Sequence, residues 1–341
     1  ENILDSNLLH THRAMRFLAA VMVLAMVMAP APQMAARTDL PPIYITSDSG
    51  FASGGFPGSG TREDPYVIDN LQITTNTLRR NGVEIRNTRA HFIVRGCEIT
   101  AAYIGILVED TAPGTASITG NVIKAVSHEG GGIVLGSDGV TVTNNTCTGF
   151  VEGIHTNYAD DCAITLNNFS YNSYHGVSLR YSHDNLVAHN TILGNGAHGV
   201  FIIRDSTGNR VINNTFSGNS QMETYDWDDI YHFTVGSQGL DEGRGNHWSD
   251  EETLRGNSWS DYGGEGEYAI DGSAHAVDRH PAKAPALTPA QEHSETEQDT
   301  SGDGVPGFTG GAVALGALAA TLILLGQRPR STQANSGSPY L

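Results

Sequence analysis

Residues 176–195 read Gly-Val-Ser-Leu-Arg-Tyr-Ser-His-Asp-Asn-Leu-Val-Ala-His-Asn-Thr-Ile-Leu-Gly-Asn, and apolar and polar residues alternate through this stretch. Alternation with a period of two is typical of β-strands and not of helices. The strand-like runs are short, and they are separated by Gly, Asn, Asp and Ser, which accept turn geometry. The stretch therefore predicts several short strands joined by tight turns.

The same pattern recurs along the chain with a period in the low twenties. A glycine followed by an apolar residue opens six successive units, at Gly82, Gly105, Gly132, Gly153, Gly176 and Gly199. A second column keeps the same spacing and contains Cys97, Asn121, Asn145, Asn167, Asn190 and Asn214. Two columns in step with such a period indicate a solenoid. A leucine-rich repeat is excluded because no unit contains a helical half with regular leucines.

The chemistry of one unit predicts a parallel β-coil with about three short strands per turn, each turn ~4.8 Å from the next. We expect about six coils over residues 82–220. In this arrangement Val177 and Leu179 point into the core, whereas Ser178 and Arg180 point to solvent. The stacked asparagines of the second column form a hydrogen-bonded ladder.

These repeats resemble the right-handed parallel β-helix repeat family, in particular the NosD-like, carbohydrate-binding and sugar-hydrolase type of archaeal surface proteins. The similarity covers about residues 38–281. Residues 58–68, Gly-Ser-Gly-Thr-Arg-Glu-Asp-Pro-Tyr-Val-Ile, are similar to the family's opening segment, and residues 256–262, Gly-Asn-Ser-Trp-Ser-Asp-Tyr, to its closing segment. The resemblance implies an all-β fold, a right-handed single-stranded parallel β-helix with N- and C-terminal caps. Since this scaffold carries lyases, epimerases, hydrolases and plain binding proteins, the resemblance leaves the function open.

The ends of a solenoid must be covered, because they expose unpaired backbone and core side chains. We expect residues 38–81 to form the N-terminal cap and residues 221–281 the C-terminal cap. The second cap contains all three tryptophans, in positions that suit either closure of the core or stacking on sugars: Trp227, Trp248 and Trp259. Closure is the favoured interpretation, because the core end has to be covered.

Residues 1–37 are interpreted as a leader and signal peptide with a signal helix. Arg13 and Arg16 provide the positive end, and residues 17–29 form the apolar stretch. The alternative, a transmembrane anchor, needs about 20 apolar residues, which is more than this stretch offers. The sequence therefore predicts export.

Residues 282–305 are rich in Pro, Ala, Thr, Ser and acidic residues, and we interpret them as a disordered acidic stalk. Residues 306–341 contain an uncharged run, 308–326, followed by two arginines. Its length suits one transmembrane helix, with the C-terminus inside. Pro306-Gly307-Phe308 resembles the archaeal PGF-CTERM sorting signal, which implies removal of the tail by an archaeosortase and attachment of a lipid. Either route tethers the protein to the outer face of the cell membrane.

The composition excludes a nucleic-acid partner, since the formal net charge is −18 and a phosphate-binding face needs a basic footprint. The three cysteines cannot form a disulfide framework. Cys97 and Cys147 fall in repeat columns, so we expect them to be small core residues.

The candidate site is a strip along the strand that follows each repeat glycine. In the last three units, the positions at this strand gather titratable, polar and aromatic residues: Glu152, His155, Asn157, His175, Ser178, Arg180, Tyr181, His198 and Phe201. Such a strip suits an extended polysaccharide. The predicted ligand-binding residues are His155, Asn157, Ser178, Tyr181, His198 and Phe201.

An enzymatic version assigns catalysis to His175, Arg180 and Glu152. In a lyase or epimerase acting on a uronate, Arg180 neutralises the carboxylate and His175 or His155 removes the α-proton. A hydrolase needs two carboxylates ~5.5 Å or ~6.5–9.5 Å apart. Glu152 is the only carboxylate on the strip, with Asp160 and Asp161 on a nearby turn.

His155, His175 and His198 fall on successive turns and suggest a copper or zinc site, which the NosD resemblance would favour. A solvated surface is the competing interpretation, because side chains stacked in one column diverge. Residues 263–267 lack the alternating aspartates of a calcium site. We predict no metal and no cofactor.

Three Asn-X-Ser/Thr sequons begin at Asn144, Asn168 and Asn213. Each lies next to the ladder column, where asparagine also suits turn and stacking geometry. Glycosylation and a purely structural role both remain open.

The sequence as a whole predicts an exported, membrane-tethered cell-surface protein that binds a polysaccharide or other glycan along its long face. A polysaccharide lyase or epimerase, and a structural envelope protein without a ligand, are the alternatives.

Overall fold

The computed structural model describes residues 39–285, apart from residues 78, 204 and 228–230. Over this part of the chain the backbone forms a parallel β-solenoid of about nine turns. The predicted signal helix in residues 1–37, most of the stalk and the predicted transmembrane helix lie outside the described residues. Within the residues described, no helix has the length and apolar character needed to cross a membrane.

Three parallel sheets make up the solenoid in the described part of the chain, and each gains one strand per turn. The ten-stranded sheet contains, in spatial order, β1 (Asp39–Leu40), β4 (Gln72–Thr74), β7 (Glu98–Ala101), β10 (Val122–Ala125), β13 (Thr146–Thr148), β16 (Asn168–Ser170), β19 (Thr191–Leu193), β22 (Thr215–Ser217), β26 (Ser258–Trp259) and β29 (Ala282–Lys283). The eight-stranded sheet contains β2 (Ile43–Ile45), β5 (Val83–Thr88), β8 (Ile106–Thr111), β11 (Gly131–Gly136), β14 (Glu152–Asn157), β17 (His175–Arg180), β20 (Val200–Ile203) and β25 (Gly239–Asp241). The seven-stranded sheet contains β3 (Tyr66–Asp69), β6 (Phe92–Arg95), β9 (Ala116–Thr119), β12 (Thr141–Thr143), β15 (Ala163–Thr165), β18 (Leu186–Ala188) and β21 (Arg210–Ile212).

The remaining described elements are one short helix and two antiparallel hairpins. Helix α1 spans Asp48–Ser53. The first hairpin pairs β23 (Thr224–Trp227) with β24 (Tyr231–Thr234), and the second pairs β27 (Tyr268–Ala269) with β28 (Val277–Asp278).

The repeat glycines stand in a file, as the periodicity predicts. A Cβ added to Gly153 would lie 2.6 Å from the carbonyl oxygen of Gly176, and one added to Gly176 would lie 2.8 Å from that of Gly199. The turns therefore approach too closely at this column for any side chain. Glycine recurs here because of this packing, and its recurrence sets the register of the eight-stranded sheet.

The six units predicted over residues 82–220 each supply one strand of the eight-stranded sheet, which confirms the parallel β-coil. Val177 and Leu179 are completely buried, as expected, and Val177 pairs in register with Ile154 and Val200. Cys97 and Cys147 are buried as predicted. The segments predicted as caps are continuous with the solenoid, since they add strands to the sheets at both ends.

The asparagine ladder is confirmed. The backbone N–H of Asn145 donates to the side-chain Oδ1 of Asn167 (2.9 Å), and the N–H of Asn167 donates to Oδ1 of Asn190 (2.9 Å). Each amide Nδ2 donates in turn to a carbonyl of the preceding turn, as Asn167 does to Val142 (3.0 Å). The ladder satisfies backbone groups at a corner where no strand pairing reaches them.

Two further ladders stabilise the described coils. In one, backbone N–H groups donate to the amide oxygens of the next member along Cys162, Asn185, Asn209 and Asn246. In the other, they do so along Phe150, Asn172, Asn195, Asn219 and Gln238. The Gly-Asn-X-Trp-Ser-Asp motif occurs twice, at 245–250 and 256–261, because its two asparagines end different ladders.

Aromatic side chains close both ends of the core. At the N-terminal end Phe51 of helix α1 is fully buried and stacks on Tyr66 at 4.8 Å. At the other end Trp259 is buried between Phe216 and Tyr268, with ring centroids 4.1 Å from each. Trp248 is also buried, so these two tryptophans serve closure and not sugar stacking.

We expect Asn167→Ala to lower the free energy of unfolding by about 1–3 kcal/mol for each polar group left unpaired. The N–H of Asn145 and the carbonyl of Val142 both lose their partners while they stay buried. Chemical denaturation of the purified protein measures this loss. Thr191→Ala, at an exposed position on β19, is the control and should change stability little. Equal effects of the two substitutions would contradict the ladder's role.

Candidate functional site

Parallel pairing brings the predicted strip together. In the eight-stranded sheet Glu152 pairs with His175, His155 pairs with Ser178, and Asn157 pairs with Arg180. Ser178 in turn pairs with Phe201 on the next turn. Residues that are 23 apart in sequence are therefore neighbours on one face of β14, β17 and β20.

The expectation that this strip faces solvent is wrong. Seven of its nine residues are buried, with relative exposures of 7% or less: Glu152, His155, His175, Ser178, Arg180, His198 and Phe201. Asn157 and Tyr181 are half-buried. The strip does point away from the solenoid core, but a second layer of protein covers it.

The cover is the β23–β24 hairpin, which belongs to the segment predicted as the C-terminal cap. Tyr225 and Phe233 of the hairpin pack with Phe201 and Leu240 in a small hydrophobic cluster separate from the solenoid core. The ring of Phe233 meets that of Phe201 edge to face at 5.4 Å. Sequence reasoning placed this segment over the end of the solenoid, whereas it lies against the side.

Glu152 and Arg180 form a buried ion pair, with Nη2 of Arg180 2.6 Å from Oε1 of Glu152. The other carboxylate oxygen, Oε2, is 2.8 Å from Nδ1 of His155. The Nε–H of Arg180 donates to Oγ of Ser178 at 3.1 Å. The four side chains thus form a buried polar network, which we call the Glu152 cluster: Glu152, His155, Ser178 and Arg180.

Burial by itself would raise the pKa of Glu152, but the positive charge of Arg180 and the contact with His155 outweigh it. The pKa of this carboxyl is held well below its usual range, so Glu152 is ionised at neutral pH. Arg180 is consequently neutralised inside the protein. Buried charges of this kind are costly to desolvate, and the solenoid core itself is built without them.

His175 lies flat against Phe201, with ring centroids 4.1 Å apart and an angle of 6° between the rings. Its Nδ1 lies 3.3 Å from the carbonyl oxygen of His198. Burial lowers the pKa of His175 to about 3, with the charge of Glu152 acting in the opposite direction. At neutral pH its imidazole is therefore uncharged.

His198 connects the hairpin to the C-terminal part of the solenoid. Its Nδ1 is 3.0 Å from the hydroxyl of Tyr225, and its Nε2 is 3.1 Å from Oδ2 of Asp271. Burial lowers the pKa of His198, although its hydrogen bond to Asp271 opposes this effect. Neither Tyr225 nor Asp271 was singled out from the sequence, because only the fold brings them to the strip.

The exposed end of the strip is aromatic. Tyr158 and Tyr181 follow β14 and β17 directly, and their rings stack at 4.7 Å with an angle of 2° between them. Tyr158 is 44% exposed, and Asn157 lies beside it. Tyr158 was missed in the sequence because the columns examined ended one residue earlier.

The left-handed backbone at this corner does not explain the two tyrosines. In earlier turns the same column contains Asn87 and Asp110, both with φ of 52°, and these residue types tolerate that region well. Tyr158 and Tyr181 adopt φ of 54° and 47°, which is unfavourable for a bulky side chain. The left-handed backbone conformation therefore does not favour tyrosine at these two positions.

The arrangement allows some of the predicted chemistry and restricts the rest. A neutral His175 has the charge state of a general base, but it is sealed beneath the hairpin. Arg180 could neutralise a uronate only if it exchanged Glu152 for the ligand. Asp160, considered for hydrolysis, accepts a hydrogen bond at 2.9 Å from the backbone of His183 and thus joins two turns.

The fold and this lateral face define a parallel β-helix protein. A model of the family described as "Periplasmic copper-binding protein (NosD)" matches residues 43–264, more than half of the 341 residues. The chain belongs to this family. No match is found among curated protein sequences.

Similar solved structures include two sugar-processing enzymes. The DFA-IIIase of Arthrobacter chlorophenolicus A6 in complex with DFA-III has a TM-score of 0.40 and 19% identity, covering 67% of this chain and 50% of that one. The A-module of the mannuronan C-5 epimerase AlgE6 of Azotobacter vinelandii has a TM-score of 0.34 and 12% identity, covering 65% of each. This chain spans half the length of the DFA-IIIase.

The residues present do not fit the copper that the family description names. Across the described residues, no three His, Cys, Asp or Glu side chains are arranged to hold an ion. Both ring nitrogens of His198 contact protein groups, and Nδ1 of His155 contacts Glu152. The three cysteines are buried and separate.

We expect Arg180→Met to lower the free energy of unfolding by roughly 3–5 kcal/mol, because it leaves the Glu152 carboxylate buried without its cation. Adding Glu152→Gln should restore part of this loss, since the uncompensated charge disappears. Denaturant titration of the single and double variants measures both effects. Arg210→Met is the matched control: Arg210 pairs with Asp250 at 3.2 Å but is 51% exposed, and an exposed pair contributes ~1 kcal/mol or less.

Stability should fall as the pH falls below 6.5, the ordinary pKa of histidine. The folded-state pKa of His175 is lowered to about 3, so the unfolded chain takes up a proton first, and the stability is lost progressively between these two values. His175→Gln should make the pH slope shallower without abolishing it, because His198 is shifted in the same direction. Denaturation at several pH values tests this, and an unchanged slope would refute it; His128→Gln, at an exposed histidine, is the control.

Proposed function

We propose that the protein is exported and binds glycans on its long face, at the stack of Tyr158 and Tyr181. The observation that carries the proposal is the exposed, parallel aromatic pair at the end of the strip. Tyr158 is 44% exposed and its ring stacks in parallel on that of Tyr181, so the pair offers an apolar platform. Sugar rings have apolar C–H faces that stack on such platforms.

Polar groups beside the platform suit the hydroxyls of a sugar. Asn157 carries two donors and an acceptor, is half-buried, and precedes Tyr158 on the same turn. Beneath it, the Glu152 cluster fixes Arg180, whose carbonyl accepts the N–H of Tyr158 at 3.2 Å. Desolvation of the charges in this network costs free energy, and the network in turn holds an exposed aromatic pair in place.

Export is supported by the periplasmic description of the family and by the apolar, arginine-flanked segment within residues 1–37. Tethering to the membrane is proposed from the uncharged run at 308–326. Both segments lie outside the described residues. Together they would display the long face at the outer side of the cell.

We prefer glycan binding to lyase or epimerase chemistry because the predicted catalytic residues are buried. His175 and Arg180 are buried, Tyr225 of the hairpin packs on His175 at 5.5 Å, and the charge of Arg180 is already matched by Glu152. The exposed tyrosine stack favours a ligand-binding protein over a structural envelope protein without a ligand.

We expect Tyr158→Ala to weaken glycan binding about two- to tenfold, which corresponds to the loss of ~0.5–1.5 kcal/mol of aromatic contact. A glycan array with the purified protein identifies the ligand, and titration of the variants with it gives the dissociation constants. Tyr44→Ala is the matched control, since Tyr44 is 46% exposed but lies on β2 at the other end of the solenoid.

Three other outcomes would change the interpretation. Equal loss in the two tyrosine variants would remove the stack from consideration. Ultraviolet absorbance from unsaturated uronates, abolished by His175→Gln, would favour the lyase. No binding to any glycan would leave the structural envelope protein.

A further inference from the structure

The three sequons occupy different environments in the folded protein. Asn144 lies at the corner between β12 and β13, with φ of 55°, and it is exposed. Asn168 is the first residue of β16 and is half-buried, with its Oδ1 enclosed by the protein. Asn213 is half-buried in a shallow depression that is also lined by Arg255 and His280. All three sites match the same Asn-X-Ser/Thr pattern, but their asparagines differ in exposure and surroundings in the folded protein.

The amide of Asn144 has open space beside it. Its neighbours at the same corner of the adjoining turns are Gly120 and Leu166, whose backbones are hydrogen-bonded through this corner. A Cβ added to Gly120 would meet no heavy atom within 4 Å, so this side of Asn144 is free of protein. Leu166 on the other side is 56% exposed. A group attached to the exposed amide can therefore extend past Gly120.

The third residue of this sequon is also suitably placed. Thr146 begins β13, where Cys147 is the residue that enters the core. Because side chains alternate along a strand, the hydroxyl of Thr146 is directed outward. The asparagine and the threonine that define the sequon are thus both presented on the outer surface.

We infer that Asn144 is a site of N-glycosylation. The donor is an oligosaccharide linked through phosphate to a lipid. Nδ2 of Asn144 forms a bond to the anomeric carbon, the bond between that carbon and the phosphate oxygen breaks, the lipid phosphate leaves, and a base of the transferase takes one amide proton. The inference rests on the export proposed above, because such donors serve exported proteins.

The turn geometry at this position permits asparagine but does not require it. The left-handed column at this corner also contains Leu166, His189 and Asn213, with φ of 60°, 57° and 57°, so asparagine is one of several residue types found at this turn. The ladder uses Asn145, not Asn144. The ladder therefore does not account for the sequon at Asn144, whose asparagine suits both the left-handed turn and glycosylation.

The site is compatible with binding on the long face. Asn144 lies between the seven-stranded and ten-stranded sheets, whereas Tyr158 and Tyr181 follow strands of the eight-stranded sheet. The attached glycan grows from a different edge of the solenoid. It shields that edge and leaves the aromatic stack open.

Mass spectrometry of peptides from the native exported protein tests the inference. We expect a glycan mass on the peptide that contains Asn144 and none on those that contain Asn168 or Asn213. Asn144→Gln and Thr146→Ala should each abolish the added mass, while Thr148→Ala, at the next outward-facing threonine of β13, should retain it. A bare Asn144 on the exported protein overturns the inference.

A second measurement separates the site from export and from glycan binding. The purified, folded chain is incubated with an oligosaccharyltransferase and lipid-linked oligosaccharide, and the same reaction is run on the unfolded chain. Preference for Asn144 in the folded chain, lost on unfolding, supports the geometry; equal use of the three sequons in the folded chain overturns it. If Tyr158 does not bind glycans, neither the mass-spectrometry result nor the transferase result changes. If the protein is retained inside the cell, both the proposed export and native glycosylation are ruled out.

Discussion

The pairing of corner N–H groups with asparagine amides of the next turn is the interaction on which this solenoid depends. At each corner the chain leaves one sheet and enters another, so strand pairing cannot satisfy the backbone there. An asparagine side chain carries both an acceptor and donors, and it serves two turns at once. The file along Asn121, Asn145, Asn167, Asn190, Asn214 and Asn257 does this at one corner, with distances of 2.9–3.0 Å between successive members. An apolar residue in that file would leave buried polar groups unpaired on two turns.

Fixed register has a consequence for the outer surface. Once the turns are aligned, side chains that are distant in sequence stack in columns whether or not they attract each other. Around β5 and β8 these columns pair Arg86 with Glu84 and Glu109. Around β14 and β17 they bring Glu152, His155 and Arg180 together in buried positions, next to His175, on which Tyr225 of the β23–β24 hairpin packs. Burial lowers the pKa of His175 and keeps its imidazole neutral. The low pKa of Glu152 has a different cause, because Arg180 and His155 lower it against the opposing effect of burial.

The long face therefore has two parts with different chemistry. The part next to the hairpin is charged and buried. The part beyond the hairpin is aromatic and open, and it is where Tyr158 and Tyr181 meet solvent. The family description names copper, but the described residues contain no set of side chains arranged to hold it. The open aromatic part suits a sugar.

The sequence by itself determined the coil. The spacing of Gly153, Gly176 and Gly199 and the column of asparagines were sufficient to predict the parallel turns, their register, the inward side chains and one ladder, because these features repeat and depend on contacts between equivalent positions. Tertiary structure alone decided what covers the strip. The hairpin occurs once and has no periodicity, so its placement against Phe201 could not be predicted from the repeat. For that reason the solvent exposure predicted for Ser178 and Arg180 was wrong. The partners Tyr225 and Asp271 of His198 were likewise out of reach, since they are 27 and 73 residues away in sequence and only the packing of nonrepeating segments brings them together.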